Sequence, residues 1–221
     1  MKLIVKQVVS FTPRKTFRVN VAKPLSNGNS KLDKGIFSFD LLAVRTCANC
    51  KSCAKDCYAR KSEVRFPDVY NKRAWQTVEV MTEEGLDRMY ETIVGQLSRA
   101  RSVRKVRIHS SGDFVSQAYL DMWAAVASLF PEIQFYGYTK VRGKLDFSII
   151  DCLPNVILWD STPNGEVNFA PLEVIKERCN RLGGFICPNT LGNKEVHCSK
   201  CGLCYNRNVF ETSKHVFFVQ H

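Results

Sequence analysis

The sequence predicts an α/β fold built around a parallel sheet. Short apolar segments rich in β-branched and aromatic residues alternate with longer segments whose apolar residues recur at helical spacing. Strands separated by helices pair in parallel, because a parallel connection needs a crossover of helix length. The 221 residues, 45% of them hydrophobic, can bury a sizeable core. We therefore predict a single α/β domain over residues 1–221.

The strands are predicted from short apolar runs bounded by turn residues. They cover residues 3–5 with 8–9, 36–44, 105–109, 133–138, 156–159, 185–186 and 216–219. The last of these is expected at an edge of the sheet. Residues 12–36 contain several Pro, Gly, Asn and Ser residues and are predicted to form loops.

The helices are predicted from apolar spacing and from capping residues. They cover residues 70–101 as one or two helices, then 116–130, 145–153 and 171–182. Asn71 is the expected N-cap of the first segment, and Thr82 is expected to restart it. Pro171 suits the first turn of the last helix, which Gly183 should end.

A net charge of +11 indicates an anionic partner, and nucleic acid is the first candidate. A basic surface that only keeps the protein in solution is the alternative. The first ten residues are interrupted by Lys2 and Lys6 and do not form a signal peptide. No apolar run reaches membrane-spanning length, so we expect a cytoplasmic protein without membrane contact. In that reducing compartment, clustered cysteines bind metal more often than they form disulfides.

The first cysteine segment is the loop of residues 45–60, which reads TCANCKSCAKDCYA at its centre. Its spacing, C-x2-C-x2-C-x3-C, is that of bacterial ferredoxins and favours a 4Fe–4S cluster; zinc and structural thiols are the alternatives. The predicted ligands are Cys47, Cys50, Cys53 and Cys57. The strict radical-SAM spacing C-x3-C-x2-C is absent, because Arg60 stands where its third cysteine would be.

The second cysteine segment spans residues 187–206 and has the spacing C-x10-C-x2-C-x2-C. Its predicted metal ligands are Cys187, Cys198, Cys201 and Cys204. Gly202 permits the tight turn between the last two, and the set fits either a closed zinc site or a second 4Fe–4S cluster. The two segments could form two metal centres or share one. Cys152 and Cys179 are predicted to be buried core thiols.

Polar residues follow several predicted strands, and ligands bind at the carboxyl ends of parallel strands. The catalytic candidates are His109, Asp113, Lys140 and Asp160. The candidates for binding a cofactor are Ser111, Gly112, Asp113 and Thr139. Ordinary helix capping by Asp113 and a solvated Lys140 are the alternatives.

Basic residues follow the first cysteine segment and interleave with Phe66, Tyr70 and Trp75. The predicted nucleic-acid contacts are Arg60, Lys61, Arg65, Lys72 and Arg73. Charge and stacking together hold single-stranded nucleic acid. The alternative places Tyr70 and Trp75 in the core and leaves the charges as a solvated face. A second basic run lies at residues 99–107.

The segments CYARKSEVRFPDVYNKR, RIHSSGDFVSQAYLDMW, FYGYTK, ICPNT and CSKCGLCY together resemble a phage-borne cysteine-rich family, gene product eighty-eight. The resemblance covers roughly residues 45–206. Its CYA and SGDF segments are also similar to phage proteins distantly related to radical-SAM barrels. The resemblance implies an open, partial parallel β/α barrel with an iron–sulfur cluster, encoded by a phage or mobile element and working in the host cytoplasm. It also implies a first motif of three cysteines, in which Cys50 would be an extra thiol.

Three functional hypotheses follow. In the first, an iron–sulfur protein with a basic surface binds nucleic acid or a host protein. In the second, a radical-SAM-like enzyme acts on a nucleotide or small molecule, with S-adenosylmethionine bound at the carboxyl ends of the strands. In the third, zinc replaces the cluster in a nucleic-acid-binding protein.

Overall fold

The computed structural model describes residues 1–5, 10–14, 20–28, 32, 34–48, 50, 53–162, 165–193, 195–213 and 215–220. The strands are β1 (Ser26–Asn27), β2 (Ile36–Phe39), β3 (Lys105–Ile108), β4 (Gln134–Thr139), β5 (Val156–Asp160), β6 (Phe169–Ala170), β7 (Phe185–Ile186) and β8 (Val216–Val219). The helices are α1 (Tyr58–Arg65), α2 (Pro67–Glu79), α3 (Glu83–Arg99), α4 (Gln117–Leu129), α5 (Ser148–Asp151), α6 (Leu172–Leu182), α7 (Cys198–Cys201) and α8 (Arg207–Ser213). A short 3₁₀ helix covers Leu203–Tyr205.

The main sheet has five strands in the order β1-β2-β3-β4-β5. β1 is antiparallel to β2, and β2 to β5 are parallel to one another. The predicted α/β fold with a mostly parallel sheet is confirmed. Consecutive strands lie next to each other, so every carboxyl end in the parallel part opens onto the same edge. The five strands form an open sheet rather than a closed barrel.

Side chains on each strand alternate between two covered faces of the sheet. Val106, Ile108 and Leu158 face α3 and α4 and belong to the largest hydrophobic core. Tyr136 and Trp159 face the other way and pack with the C-terminal cysteine segment and α8. The second cysteine segment therefore covers the face of the sheet that α3 and α4 leave open.

A second, smaller sheet contains β6, β8 and β7, in that order and all parallel. Helix α6 packs on it through Ile175, which contacts Phe217 in a small core of its own. Two predictions are corrected here. β7 pairs in the small sheet instead of extending the main one, and β8 lies between two strands instead of at an edge.

Several element boundaries also differ from those predicted. The segment predicted as a strand over residues 36–44 ends at Phe39, because the chain then turns into the loop that carries the first cysteines. Asn71 lies inside α2 and bonds the backbone of Arg14 instead of capping a helix. Thr82 caps α3 as predicted, with its hydroxyl accepting from the amide of Gly85 at 3.1 Å. At the N-terminus, Leu3 forms an isolated bridge with Ser116, and residues 6–9 of the predicted first strand lie outside the described residues.

The helices within the described ranges are all too short or too polar to cross a lipid bilayer.

Candidate functional site

The four cysteines of the second segment line one cavity of about 40 Å³. They are Cys187, Cys198, Cys201 and Cys204. The cavity lies against the main sheet, where Arg107, Tyr136 and Tyr138 complete its wall. The structure thus brings together all four thiols that the spacing assigned to one site.

Local backbone structure explains how three of these cysteines converge. Cys198 and Cys201 lie at the two ends of the single turn α7, and Gly202 follows in the left-handed conformation with φ +69°. Glycine adopts that conformation without strain, so the chain can reverse at once into the 3₁₀ helix that carries Cys204. Cys187 arrives from β7, where its amide donates to the carbonyl of Phe217 at 2.8 Å.

Two donors, the Tyr138 hydroxyl and the Arg107 guanidinium, act on the thiol of Cys204. Burial raises the pKa of its thiol to about 12, and the hydroxyl of Tyr138, which hydrogen-bonds it, acts in the opposite direction. Arg107 is near the same sulfur, and its Nε is buried with no hydrogen-bond partner among the described residues. A cation bound here would have to displace the proton of the thiol.

Aromatic rings hold this segment against the sheet. The indole of Trp159 donates to the carbonyl of Cys204 at 2.8 Å, and the hydroxyl of Tyr205 donates to the carbonyl of Cys198 at 2.7 Å. The rings of Tyr136 and Tyr205 meet edge to face, with centroids 5.3 Å apart. The cysteine backbone is therefore fixed by the sheet itself.

The first cysteine segment lies at the carboxyl end of the parallel strands, as the order of elements predicts. The ammonium of Lys140, directly after β4, contacts the sulfur of Cys53 at 2.9 Å. Cys47 is close to the same groups, and burial followed by the charge of Asp113 raises the pKa of its thiol to about 12. Cys50 contacts the carbonyl of Val44 at 3.5 Å. Cys57 lies immediately before α1.

Asp113 forms hydrogen bonds to the strand ends that lie beneath this loop. Its carboxylate accepts from the Thr139 hydroxyl, the Lys140 amide and the Phe114 amide, each at 2.8 Å. Burial raises its pKa to about 6, and the hydrogen bonds from Lys140 and Thr139 oppose that shift. The carboxylate therefore joins the end of β3 to the end of β4 and positions Lys140.

The remaining cofactor-binding candidates form internal contacts. Ser111 donates its hydroxyl to the carbonyl of Leu41 at 2.8 Å. Gly112 has φ +85°, and a Cβ there would come within 2.6 Å of Leu41 and of Thr46. Asp40 accepts from the amide of Ser111 at 3.0 Å. These contacts hold the start of the cysteine loop against the end of β3.

Two catalytic candidates, His109 and Asp160, make local structural contacts instead of contacts with the cysteines. His109 is buried between Phe114 and Tyr119, and its Nε2 lies 2.7 Å from the Tyr119 hydroxyl. Burial lowers its pKa to about 3, so the imidazole is neutral. Asp160 accepts from the amide and the hydroxyl of Thr162 and thereby caps a turn.

The predicted nucleic-acid contacts divide into two groups. Arg60, Lys61 and Arg65 are exposed on α1. Arg73 is buried, with ion pairs to Glu63 at 3.2 Å and to Asp40 at 3.6 Å, so it braces α1 and α2 internally and is not at a binding surface.

Lys72 is half-buried and donates to the Ser26 hydroxyl at 2.8 Å; burial lowers its pKa to about 8. The aromatic residues next to these cations also differ in placement. Phe66 is exposed, whereas Trp75 packs partly against the core. Arg14 lies over the ring of Tyr70 at 3.8 Å. Of the predicted nucleic-acid contacts, the exposed ones are therefore the three on α1, next to the exposed ring of Phe66.

Cys152 and Cys179 differ from the prediction of two buried thiols. Cys152 is exposed after α5, whereas Cys179 is half-buried against the small core of α6.

Across the part of the chain that the structure describes, no three His, Cys, Asp or Glu side chains already surround a common metal position. A metal at either cysteine segment would therefore draw its thiols together on binding.

Sequence reasoning did not assign Arg107 and Tyr138 to the second cysteine segment. The available signal was the alternation along the strands. In β3, Lys105 and Arg107 alternate with the apolar Val106 and Ile108. Their side chains therefore point to the other face of the sheet, where a second layer of structure has to cover them. That this layer is the cysteine segment depends on tertiary packing.

Comparison with known proteins agrees with the motifs. The family model described as Gene product 88 matches residues 17–195. The chain belongs to the Gene product 88 family. This match includes the first cysteine segment and Cys187 and ends before Cys198.

Two curated relatives in this family come from mycobacteriophages. The Gene 88 protein of Mycobacterium phage L5 is 27% identical over 190 residues, covering 73% of this chain and 80% of the relative. The Gene 88 protein of Mycobacterium phage D29 is 27% identical over 197 residues, with the same coverage. These relatives support the predicted phage character of the protein. No solved structure matches the chain.

Proposed function

We propose that this Gene product 88 protein is a metalloprotein that binds nucleic acid. In this proposal the second cysteine segment holds a four-thiolate metal centre, and the exposed basic face of α1 contacts the nucleic acid. The observation that carries the proposal is that all four C-terminal cysteines line one cavity next to the half-buried Arg107, whose Nε is buried.

The chemistry of this ligand set limits the group it can hold. Four thiolates without a carboxylate or an open position suit a closed zinc site or a 4Fe–4S cluster. Both are normally structural or redox groups, because the four thiolates leave no coordination position open for a substrate. For the first cysteine segment we propose an iron–sulfur cluster, on the strength of its ferredoxin spacing and the Lys140–Cys53 contact.

The metal proposal is tested with two cysteine variants of the full chain, purified without oxygen. Cys201→Ser removes one thiol from the cavity and should lower the metal bound per chain by about one centre. Cys152→Ser removes an exposed thiol outside both segments and is the matched control, which should keep the metal content of the parent. Equal metal content in the two variants would contradict a centre at Cys187–Cys204.

The nucleic-acid proposal is supported by the composition and exposure of α1. Arg60, Lys61 and Arg65 form no ion pair within the described part of the chain and are accompanied by an exposed aromatic ring, Phe66, at 49% exposure. Cations that have no acidic partner are free to neutralise phosphates, and an exposed ring can stack on a base.

A second candidate function is a radical-SAM-like enzyme. The specific observation in its favour is that Cys47, Cys53 and Lys140 lie together over the carboxyl ends of the strands, where ligands bind in parallel α/β proteins. This reading requires three cysteines on one cluster and an open iron for S-adenosylmethionine.

The enzyme candidate is tested by reducing the anaerobic protein in the presence of S-adenosylmethionine. Formation of 5′-deoxyadenosine that is lost in Cys53→Ser and kept in Cys152→Ser would support it. Absence of 5′-deoxyadenosine from a protein that carries its full complement of iron would exclude it.

A further inference from the structure

We propose that Arg107 is the counter-cation of the C-terminal four-cysteine centre and that Tyr138 is its hydrogen-bond donor. This inference rests on the proposed metal centre and deepens it, because it names the residues outside the ligand set that retain the metal. Neither residue is a ligand, and both act through Cys204 and its neighbours.

The position of Arg107 follows from the alternation of β3. Val106 and Ile108 point into the core beneath α3 and α4, so Arg107 points to the opposite face and lines the cysteine cavity. Its guanidinium lies over the ring of Tyr138, 5.3 Å from the centroid. A charged side chain thus lies at the wall of a cavity that is otherwise lined by the four cysteines, by aromatic rings and by uncharged residues such as Asn189, Val196 and Leu203.

The charge balance of this region is incomplete without a bound group. Arg107 is half-buried and its Nε is fully buried, and taking part of a guanidinium out of water is costly unless an opposite charge or a hydrogen bond compensates it. Within the described residues Arg107 forms no ion pair with a carboxylate. The negative charge of Asp40 acts on Arg107, but Asp40 itself forms an ion pair with Arg73. The buried Nε of Arg107 also has no hydrogen-bond partner among the described residues.

A metal held by four thiolates supplies the missing charge. Four thiolates around a zinc ion, or around an oxidised 4Fe–4S core, leave a net negative charge that lies beside Arg107. A second cation, Lys105, lies over the ring of Tyr205 at 4.7 Å on the same face. The cavity is therefore matched to an anionic metal–thiolate group rather than to a bare cation.

Tyr138 adds a directed contact to this charge. Its hydroxyl hydrogen-bonds the sulfur of Cys204, and its ring packs edge to face on Phe218 at 5.2 Å between centroids. Hydrogen bonds to ligating sulfurs and groups just outside the ligand set typically change metal affinity by about 10- to 100-fold.

The test compares how fast the metal leaves the full-length anaerobic protein when a chelator is added. A zinc or iron chromophoric chelator is used according to which metal the parent contains. Arg107→Met should release the metal about tenfold faster than the parent, and Arg107→Lys, which restores a positive charge, should release it at a rate closer to the parent. Tyr138→Phe should also release it faster while preserving the ring packing.

The matched control is Arg142→Met. Arg142 is also half-buried, lies over an aromatic ring and pairs with Asp151, but it does not line the cysteine cavity. Arg142→Met should keep the release rate of the parent. Equal release from Arg107→Met and the parent, or equal acceleration in both methionine variants, would overturn the inference while leaving the metal centre intact. A parent protein that contains no metal would overturn the proposed function and this inference together.

Discussion

At the scale of single residues, His109 has an unusual backbone and a fully enclosed side chain. Its φ is +63°, a left-handed value that few residues other than glycine adopt, and the imidazole is buried against Phe114 and Tyr119. The neutral ring serves as a hydrogen-bond partner for the Tyr119 hydroxyl. This placement gives His109 a role in packing the end of β3, not in chemistry at the cysteines.

The buried His109 predicts a specific pH dependence of stability. Its pKa falls from 6.5 to about 3 on folding, so between these values the unfolded chain binds a proton that the folded chain does not. The free energy of unfolding should therefore decrease as the pH falls below 6.5, by about 2 kcal/mol at pH 5 from this residue. Urea unfolding at pH 7.5 and pH 5 measures this loss.

The control for this prediction is His109→Asn, because asparagine tolerates the left-handed backbone conformation. The variant is expected to be less stable than the parent at both pH values, since Tyr119 loses its partner. The loss of stability between pH 7.5 and pH 5 should nevertheless be about 2 kcal/mol smaller than in the parent. An unchanged pH dependence would show that His109 does not remain neutral in the folded state.

Gly112 provides a second prediction at this scale. An alanine there combines a φ of +85° with a Cβ within 2.6 Å of Leu41 and Thr46. Gly112→Ala should destabilise the fold by about 2 kcal/mol or more and disturb the loop that carries Cys47. Gly143→Ala is the control, because a Cβ at Gly143 meets nothing within 4 Å. Similar melting temperatures for the two variants would contradict the close approach at Gly112.

The four cysteines of the second segment could be grouped from the sequence alone, because their spacing is local, and they line one cavity; metal binding by either set stays a prediction. The sequence predicted Asp113 as a polar residue at a strand end, but its three hydrogen bonds depend on Thr139 and Lys140 of the next strand. Arg107 was visible only as part of a basic run. Its contact with the cysteine cavity joins residues about a hundred positions apart, which no local pattern records.

At the scale of elements, α1 combines an anchored face with an exposed basic face. On the inner face, Glu63 accepts from the amide of Ala43 at 2.8 Å and pairs with Arg73, which ties the helix to the start of the cysteine loop. Burial raises the pKa of Glu63, and its hydrogen bond with Ala43 opposes this. The outer face is left to Arg60, Lys61 and Arg65.

This division predicts how nucleic-acid binding depends on α1. A triple variant, Arg60→Gln with Lys61→Gln and Arg65→Gln, should weaken binding of a single-stranded oligonucleotide and lower the slope of log affinity against log salt by about two to three. Phe66→Ala should weaken binding with little change in that slope, because stacking releases no counterions.

The matched control removes the same charge elsewhere, with Lys2→Gln, Lys23→Gln and Lys176→Gln at exposed positions outside α1. Fluorescence anisotropy at several salt concentrations measures the affinities. If both triple variants weaken binding equally, the interaction reflects net charge and not a surface on α1. If the parent does not bind, the nucleic-acid proposal is wrong.

The four parallel strands of the main sheet were predictable because each is a short apolar run between turn residues, whereas β1, the polar pair Ser26–Asn27, lies in the range predicted as loops. The smaller sheet was not predictable, since β6 and β7 each contain two residues and either could have joined the main sheet. The partner choice is decided by α6, whose Ile175 packs against Phe217 of β8 and so keeps these strands in a layer of their own. Helix α1 was missed because its exposed face carries cations in place of a regular apolar stripe.

At the scale of the whole molecule, the two cysteine segments lie at different places on the main sheet. The first lies over the carboxyl ends of β2 to β5, and the second covers the face opposite α3 and α4. The C-terminal end of the chain connects the two regions, because Gln220, just after β8, donates to Asp56 in the first segment at 2.9 Å. We therefore propose two separate centres rather than a single shared one.

Whether these cysteines hold metal is measured by the content of iron, sulfide and zinc in the parent protein after anaerobic purification. We expect iron with matching sulfide and a broad visible absorbance from the first segment, and either a second cluster or zinc from the C-terminal centre. Zinc without iron would remove the iron–sulfur assignment and keep the C-terminal centre. A colourless protein containing neither iron nor zinc would show that neither cysteine segment is a metal centre.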